Sequence, residues 1–233
     1  SDWHHPDYPA FRDEDRPYMF IAYPRPEPEA WARYVDDLFG QIRELLTNYG
    51  EISVLWFDGG WERSPDEWRA AEMEALIREL QPGILINDRL DLMETADGWD
   101  YRTPAQVVVQ DWVKFNGQPV LWETCQTFSG SWGYHRDESS WKSVDQLLRI
   151  LIDSVCYGGN LLLNVGPTAR GEFDDRALVR LSGMGEWLRR HGRAIYGCTQ
   201  APKEFRVPEN CRLTYNPAGN RLYVHLYAWP YSE

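Results

Sequence analysis

Four apolar stretches of this chain end on polar side chains. ISVLWF runs into Asp58, ILIN into Asp88, PVLW into Glu123 and LLL into Asn164. A carboxylate is costly to desolvate without a partner, so several delivered to one face point to use rather than accident. Two carboxylates on opposite sides of a pocket suit glycoside hydrolysis. One attacks the anomeric carbon or activates water, and the other protonates the leaving oxygen. Asp, Glu and Asn at strand ends could instead hold a magnesium ion. No histidine cluster lies beside them and no phosphate-binding glycine loop is visible, so the glycosidase reading is preferred. The aromatic load agrees. There are 12 tryptophans among 233 residues, and Trp56, Trp61, Trp99, Trp112, Trp122 and Trp132 fall at expected strand ends and in loops. Indole faces there can stack on sugar rings; a tryptophan-rich core is the competing account.

The elements that must position these groups alternate. Trp31, Tyr34, Val35, Leu38, Phe39, Ile42, Leu45, Leu46 and Tyr49 form a helical stripe over 29–49, stopped by Gly50. SPDE at 64–67 is a capping box, with Pro65 at the first helical position, and predicts a helix running to Leu80. Residues 90–117 read as a long loop, and a second long loop runs to 142. Ser143 with Gln146 opens another helix, ended by Gly158-Gly159. A strand at 160–166 and a helix at 174–191 follow. RLTYN, PAGN and RLYVHLYAW then read as a β-hairpin. Apolar strands alternating with amphipathic helices mean a parallel sheet covered by helices. Long loops after the strands fit a (β/α) barrel, whose chemistry sits at the C-terminal strand ends.

Composition narrows the partners. A net charge of -12 disfavours nucleic acid. No window of 18 uninterrupted apolar residues exists, so no membrane span is expected. No basic-then-apolar leader precedes residue 20, so no secretion signal is expected. Cys125, Cys156, Cys198 and Cys211 show no CxxC pairing and are expected to be free and mainly buried.

Several motifs carry a family resemblance. DWHHPDYP, ISVLWFDGGWE, DYRTPAQ, WETCQTFSGSWGYHRDESSWKS, GGNLLLNVGPTARGEF and GEWLRRHGRAIYG resemble, in order and spacing, the α-L-fucosidases of glycoside hydrolase family 29. The resemblance implies a retaining mechanism through a covalent fucosyl–enzyme intermediate. It assigns the nucleophile to Asp58 of WFDG and places Trp56, on the same strand face, against the fucose. It puts the acid/base at Glu138 of GYHRDE, with Glu123 and Asp137 as rivals. Trp3, His4, Trp132, Tyr134 and Glu123 complete the expected substrate-binding set. Gln126 stands where the family often has arginine, and Ala105 where it usually has glutamate within TPEQ. No metal or organic cofactor is implied. The partner is a fucosylated glycan or glycoside.

The same resemblance makes the barrel incomplete. Motifs that precede DWHHPDY in the family, including a KHHDGF-type strand end that binds fucose hydroxyls, are absent. The expected fold is an α/β, partial TIM-type barrel of four to five β/α units over 1–197, the fifth strand being YMFIAY at 18–23 or a terminal strand. A short β extension over 198–233 would be the start of a β-sandwich. Two open sheet edges invite pairing, so self-association is expected, with closure by residues 1–23 or by the terminal hairpin as the alternative. Activity should be weak, because positioning dominates rate. The expected function is a retaining α-L-fucosidase, with transfucosylation as an accompanying reaction. The alternative is a catalytically poor or inactive fucose-binding fragment; a different (β/α) hydrolase fits the motif order least.

Overall fold

The computed structural model describes residues 2, 4–9, 24–90, 92, 95, 97–107 and 109–229. They form two compact units that divide between Tyr101 and Arg102. In the first, α1 (Pro28–Asn48) starts on a proline and buries Trp31, Tyr34, Val35, Ile42 and Leu46 along its stripe. Strand β1 (Val54–Leu55) pairs in parallel with β2 (Leu85–Ile86). A 3-10 turn (Gly60–Glu62), α2 (Pro65–Trp68) and α3 (Ala70–Leu80) lie between them in sequence. The Ser64–Glu67 capping box is formed. The single helix expected from Ser64 to Leu80 is broken, because Arg69 adopts a left-handed φ of 52°. Its guanidinium bonds Asp36 and Glu72 and stacks on Phe39, while the Trp68 indole donates to the Gly60 carbonyl. These contacts hold a conformation that a non-glycine residue rarely adopts. Trp31, Tyr34, Trp68, Met73, Ile77 and Ile86 form the core of this unit.

In the second unit, β5 (Glu123–Thr127) pairs in parallel with β6 (Asn160–Asn164), so that Glu123 faces Asn160 and Thr127 faces Asn164. Helices α4 (Val144–Cys156) and α5 (Asp175–His191) cover one side of the pair, where Phe128, Leu147, Leu163, Val165 and Met184 pack together. The Ser143–Gln146 capping box is formed. The terminal hairpin is present as β8 (Cys211–Asn216) and β9 (Arg221–Leu226), with PAGN as its turn. A third antiparallel strand, β7 (Thr199–Gln200), joins it. The four cysteines are free, and all but Cys198 are buried.

The stretch expected as one loop over 90–117 is more ordered than its composition suggests. Asn87 bridges Tyr101 in parallel; Arg102 bridges Trp122 and Ala105 bridges Cys125. Asn116-Gly117, both at positive φ, turns a short hairpin between β3 (Lys114–Phe115) and β4 (Gln118–Pro119). Among the described residues the parallel strands form small two-stranded sheets and no closed barrel. No helix among them is long and apolar enough to cross a membrane.

Candidate active site

Asp58 lies three residues beyond β1, in the turn before the 3-10 segment. Its position is set by a side chain. Asn87, fully buried, accepts from the Phe57 N–H (2.8 Å) and donates to the Phe57 carbonyl (2.9 Å). That reciprocal pair does the work of a strand ladder beyond the two-residue sheet. The next residue is therefore delivered in a fixed place. The Asp58 side chain is 55% exposed, and its Oδ1 accepts from Arg89 Nη1 at 2.7 Å. The Arg89 guanidinium lies 4.6 Å from the centre of the Trp56 ring. Asp58, Trp56 and Arg89 thus form one cluster of carboxylate, indole and cation. Asp88 is buried beside it in the chain, beyond β2 rather than within it.

Glu138 belongs to the loop between β5 and α4. Its carboxylate accepts from Ser140 Oγ (2.6 Å), the Ser140 N–H (2.7 Å) and Ser131 Oγ (2.7 Å). These donors, Ser140 first, hold its pKa down at about 2. Arg176, near the start of α5, ties the loop down. It donates to the carbonyls of Glu138 (2.9 Å) and Arg136 (3.1 Å) and pairs with Asp174. Asn164, at the end of β6, donates to the Trp132 carbonyl at 2.7 Å. Trp132 and Tyr134 are both half exposed on this loop. Asp137 is solvated and meets only the adjacent Arg136 in the described contacts, at 3.4 Å.

Other expectations change. Glu123 opens β5 instead of closing it, at the end of the sheet opposite Asn164. Gln126 is buried and bonds Thr124 and the Val107 carbonyl. His4 is exposed, whereas the neighbouring His5 packs edge-on to Tyr34. Trp3 lies outside the described residues. Of the tryptophans read as site residues, Trp99 and Trp122 are core, and Trp112 packs inward with its indole donating to Val120. Trp61 and Trp132 remain about half exposed. Sequence reasoning missed Asn87, Arg89 and Arg176. The LINDR string and the Asp174–Arg176 pair are the signals that hold them. Among the described residues no three His, Cys, Asp or Glu side chains gather as metal ligands.

A family model described as alpha-L-fucosidase matches residues 1–193. Alpha-L-fucosidase isoenzyme 1 from Paenibacillus thiaminolyticus is 40% identical with a TM-score of 0.83, over 97% of this chain and 54% of that one. A GH29 alpha-L-fucosidase from Bacteroides thetaiotaomicron, captured as a trapped covalent intermediate with 2-fluoro-fucosyl fluoride, is 27% identical with a TM-score of 0.78, over 99% and 53%. The alpha-L-fucosidase of Branchiostoma floridae is 30% identical over 85% of this chain and 44% of its own. The chain spans about half the length of the relatives it matches.

Proposed function

The chain belongs to the alpha-L-fucosidase family, and on that premise we propose that it is a glycoside hydrolase cleaving terminal α-L-fucosides by double displacement. The observation that carries this is Asp58, held beyond a strand end by Asn87 and Arg89, half exposed and flanked by Trp56. The covalent intermediate captured in the Bacteroides relative supports a nucleophilic role for such a group.

In the first step an Asp58 oxygen forms a bond to the anomeric carbon as the glycosidic C–O bond breaks. The leaving oxygen takes the bonding pair and a proton from Glu138. In the second, water attacks the same carbon, the electron pair returns to Asp58, and Glu138 takes the proton. An alcohol in place of water would give transfucosylation. Trp56, Trp132 and Tyr134 would contact the sugar, with Trp3 and His4 as further candidates. Glu123 and Asp137 are weaker choices for the acid/base. One opens its strand and the other is solvated.

The bonds around Glu138 favour its ionised form, which suits the base of the second step. Donating a proton in the first requires some of them to be given up. That tension favours a second reading, a poorly catalytic fucose-binding fragment. Release of 4-nitrophenol from 4-nitrophenyl α-L-fucoside, lost in Asp58→Ala, tests the choice. Absence of turnover with retained fucose binding would select the second reading.

The parallel pairs are proposed to be part of a (β/α) barrel over 1–197, with 198–233 as a β extension. Self-association is proposed as well. Val54 and Leu85, partners across β1–β2, are 44% and 42% exposed, and Leu162 on β6 is 40% exposed. Exposed apolar sheet faces favour burial. A single monomeric species across a hundredfold concentration range in sedimentation velocity would remove this part of the proposal.

A further inference from the structure

Arg89 is buried more deeply than the carboxylate it touches: its side chain is 14% exposed and that of Asp58 is 55%. An exposed arginine tracks its partner loosely and contributes little. Here the guanidinium is fixed first, by stacking on Trp56, and presents Nη1 to Asp58 Oδ1 at 2.7 Å. Arg89 also lies two residues after Asn87, whose side chain fixes the Phe57 backbone. One short segment, Asn87 to Arg89, therefore sets both the backbone before Asp58 and the carboxylate itself.

Resting on Asp58 as the nucleophile, we infer that Arg89 is a positioning residue whose main effect is on the second chemical step. When Asp58 attacks, its negative charge is consumed in the ester, and the contact with Arg89 loses its ionic character. When water cleaves the ester, the C1–O bond breaks and the electron pair returns to Asp58. A cation at 2.7 Å from one oxygen of this carboxylate stabilises the charge that returns to it. Formation of the intermediate gains nothing comparable, because there the paired carboxylate gives up its charge. Without Arg89 the carboxylate remains an adequate nucleophile and becomes a poorer leaving group, so the intermediate accumulates.

The test compares the parent protein with Arg89→Met, which keeps an apolar stem beside Trp56, and Arg89→Lys, which keeps the charge. Arg89→Gln replaces the methionine variant should that one not fold. The neutral variant is expected to lose about tenfold to thirtyfold in kcat, the size of one partly exposed charge-assisted hydrogen bond. KM should fall with it, kcat/KM should change far less, and a burst of nitrophenol should appear before steady state. Arg89→Lys should recover much of kcat. By mass spectrometry, the adduct formed with 2-fluoro-fucosyl fluoride should persist longer in the neutral variant. A parallel loss of kcat/KM without a burst, or an adduct that decays at the parental rate, overturns the inference while leaving Asp58 in place. A parent protein that shows neither adduct nor turnover overturns Asp58 as nucleophile, and Arg89 with it.

Discussion

Removing the serine hydroxyls around Glu138 is expected to raise its pKa and make it a better-loaded acid. Glu138 accepts from Ser140 Oγ at 2.6 Å and from Ser131 Oγ at 2.7 Å. Both bonds favour the charged carboxylate and together with the Ser140 N–H hold its pKa at about 2, against an ordinary 4.5. At pH 5 such a group is protonated about one time in a thousand, against about one in four at the ordinary value. The double variant Ser131→Ala/Ser140→Ala keeps the backbone donor, so its pKa should settle between these limits. The ceiling on improved loading is then about two-hundredfold. The gain in rate should be smaller, because a weaker acid donates less readily.

The assay is kcat/KM from pH 4 to 8 on two fucosides, one with an alkyl leaving group and one with 4-nitrophenol. The alkyl substrate needs protonation to depart. Its alkaline limb should move to higher pH in the double variant, and its rate at pH 5 should rise. The nitrophenyl substrate should change little. An alkaline limb that stays in place on the alkyl substrate, while Glu138→Ala abolishes its turnover, would refute the protonation argument. In that case Glu138 would act by contact or shape, and the proton would come from another group.

Four further outcomes follow from particular contacts. Asp58→Ala should lower turnover by about a thousandfold or more without unfolding the chain, as read by nitrophenol release beside circular dichroism. Asn87→Ala orphans the N–H and carbonyl of Phe57 and should cost about 2–4 kcal/mol, read as a fall in urea midpoint. Gly159→Ala would place a Cβ 2.2 Å from the Trp122 ring and should destabilise by about 1–3 kcal/mol in the same measurement. Glu138 and Asp174, both with pKa values lowered to about 2, stabilise the fold above their ordinary values of 4.5 and 3.8 and lose that contribution as pH falls toward 2. In the folded protein Glu138 takes up its proton only near pH 2, so the indole N–H of Trp141, which donates to the Glu138 carbonyl, should keep its NMR shift through pH 4.5 and move as the pH approaches 2.

Periodicity and caps made most helices legible. The stripe from Trp31 to Leu46 and both capping boxes appear where their residues predict. What local rules could not supply was tertiary. Arg69 has ordinary helical propensity, yet Asp36, Phe39 and Glu72 draw it into a left-handed break. Gly158-Gly159 looked like a helix stop. It is also the floor on which Trp112 and Trp122 pack, since a Cβ at either glycine would fall within 2.4 Å of an indole. The Asn116-Gly117 turn carries a hairpin signal of its own within a stretch whose polar and aromatic composition points to loop.

Glu123 shows why strand ends are harder to read than strands. An apolar run fixes that a strand exists, but its register depends on a partner far away in sequence. PVLW followed by Glu123 looked complete. Pairing with residues 160–164 instead runs β5 from Glu123 to Thr127. Four residues at about 3.3 Å each separate the two ends by about 13 Å. The polar group beside Asn164 is therefore Thr127, whose carbonyl accepts from Lys142 at 2.6 Å and whose hydroxyl accepts from Gln106 at 2.8 Å. Asp58 likewise does not close its strand; it lies three residues past β1. Beyond that two-residue strand the ladder has ended and pairing no longer decides its position. There the Asn87 amide takes over from the backbone, and Arg89 holds one oxygen of a carboxylate that stays half exposed. Both holders lie about thirty residues from the carboxylate in sequence, so a carboxylate placed by distant side chains is no easier to read from a local motif than one placed by register.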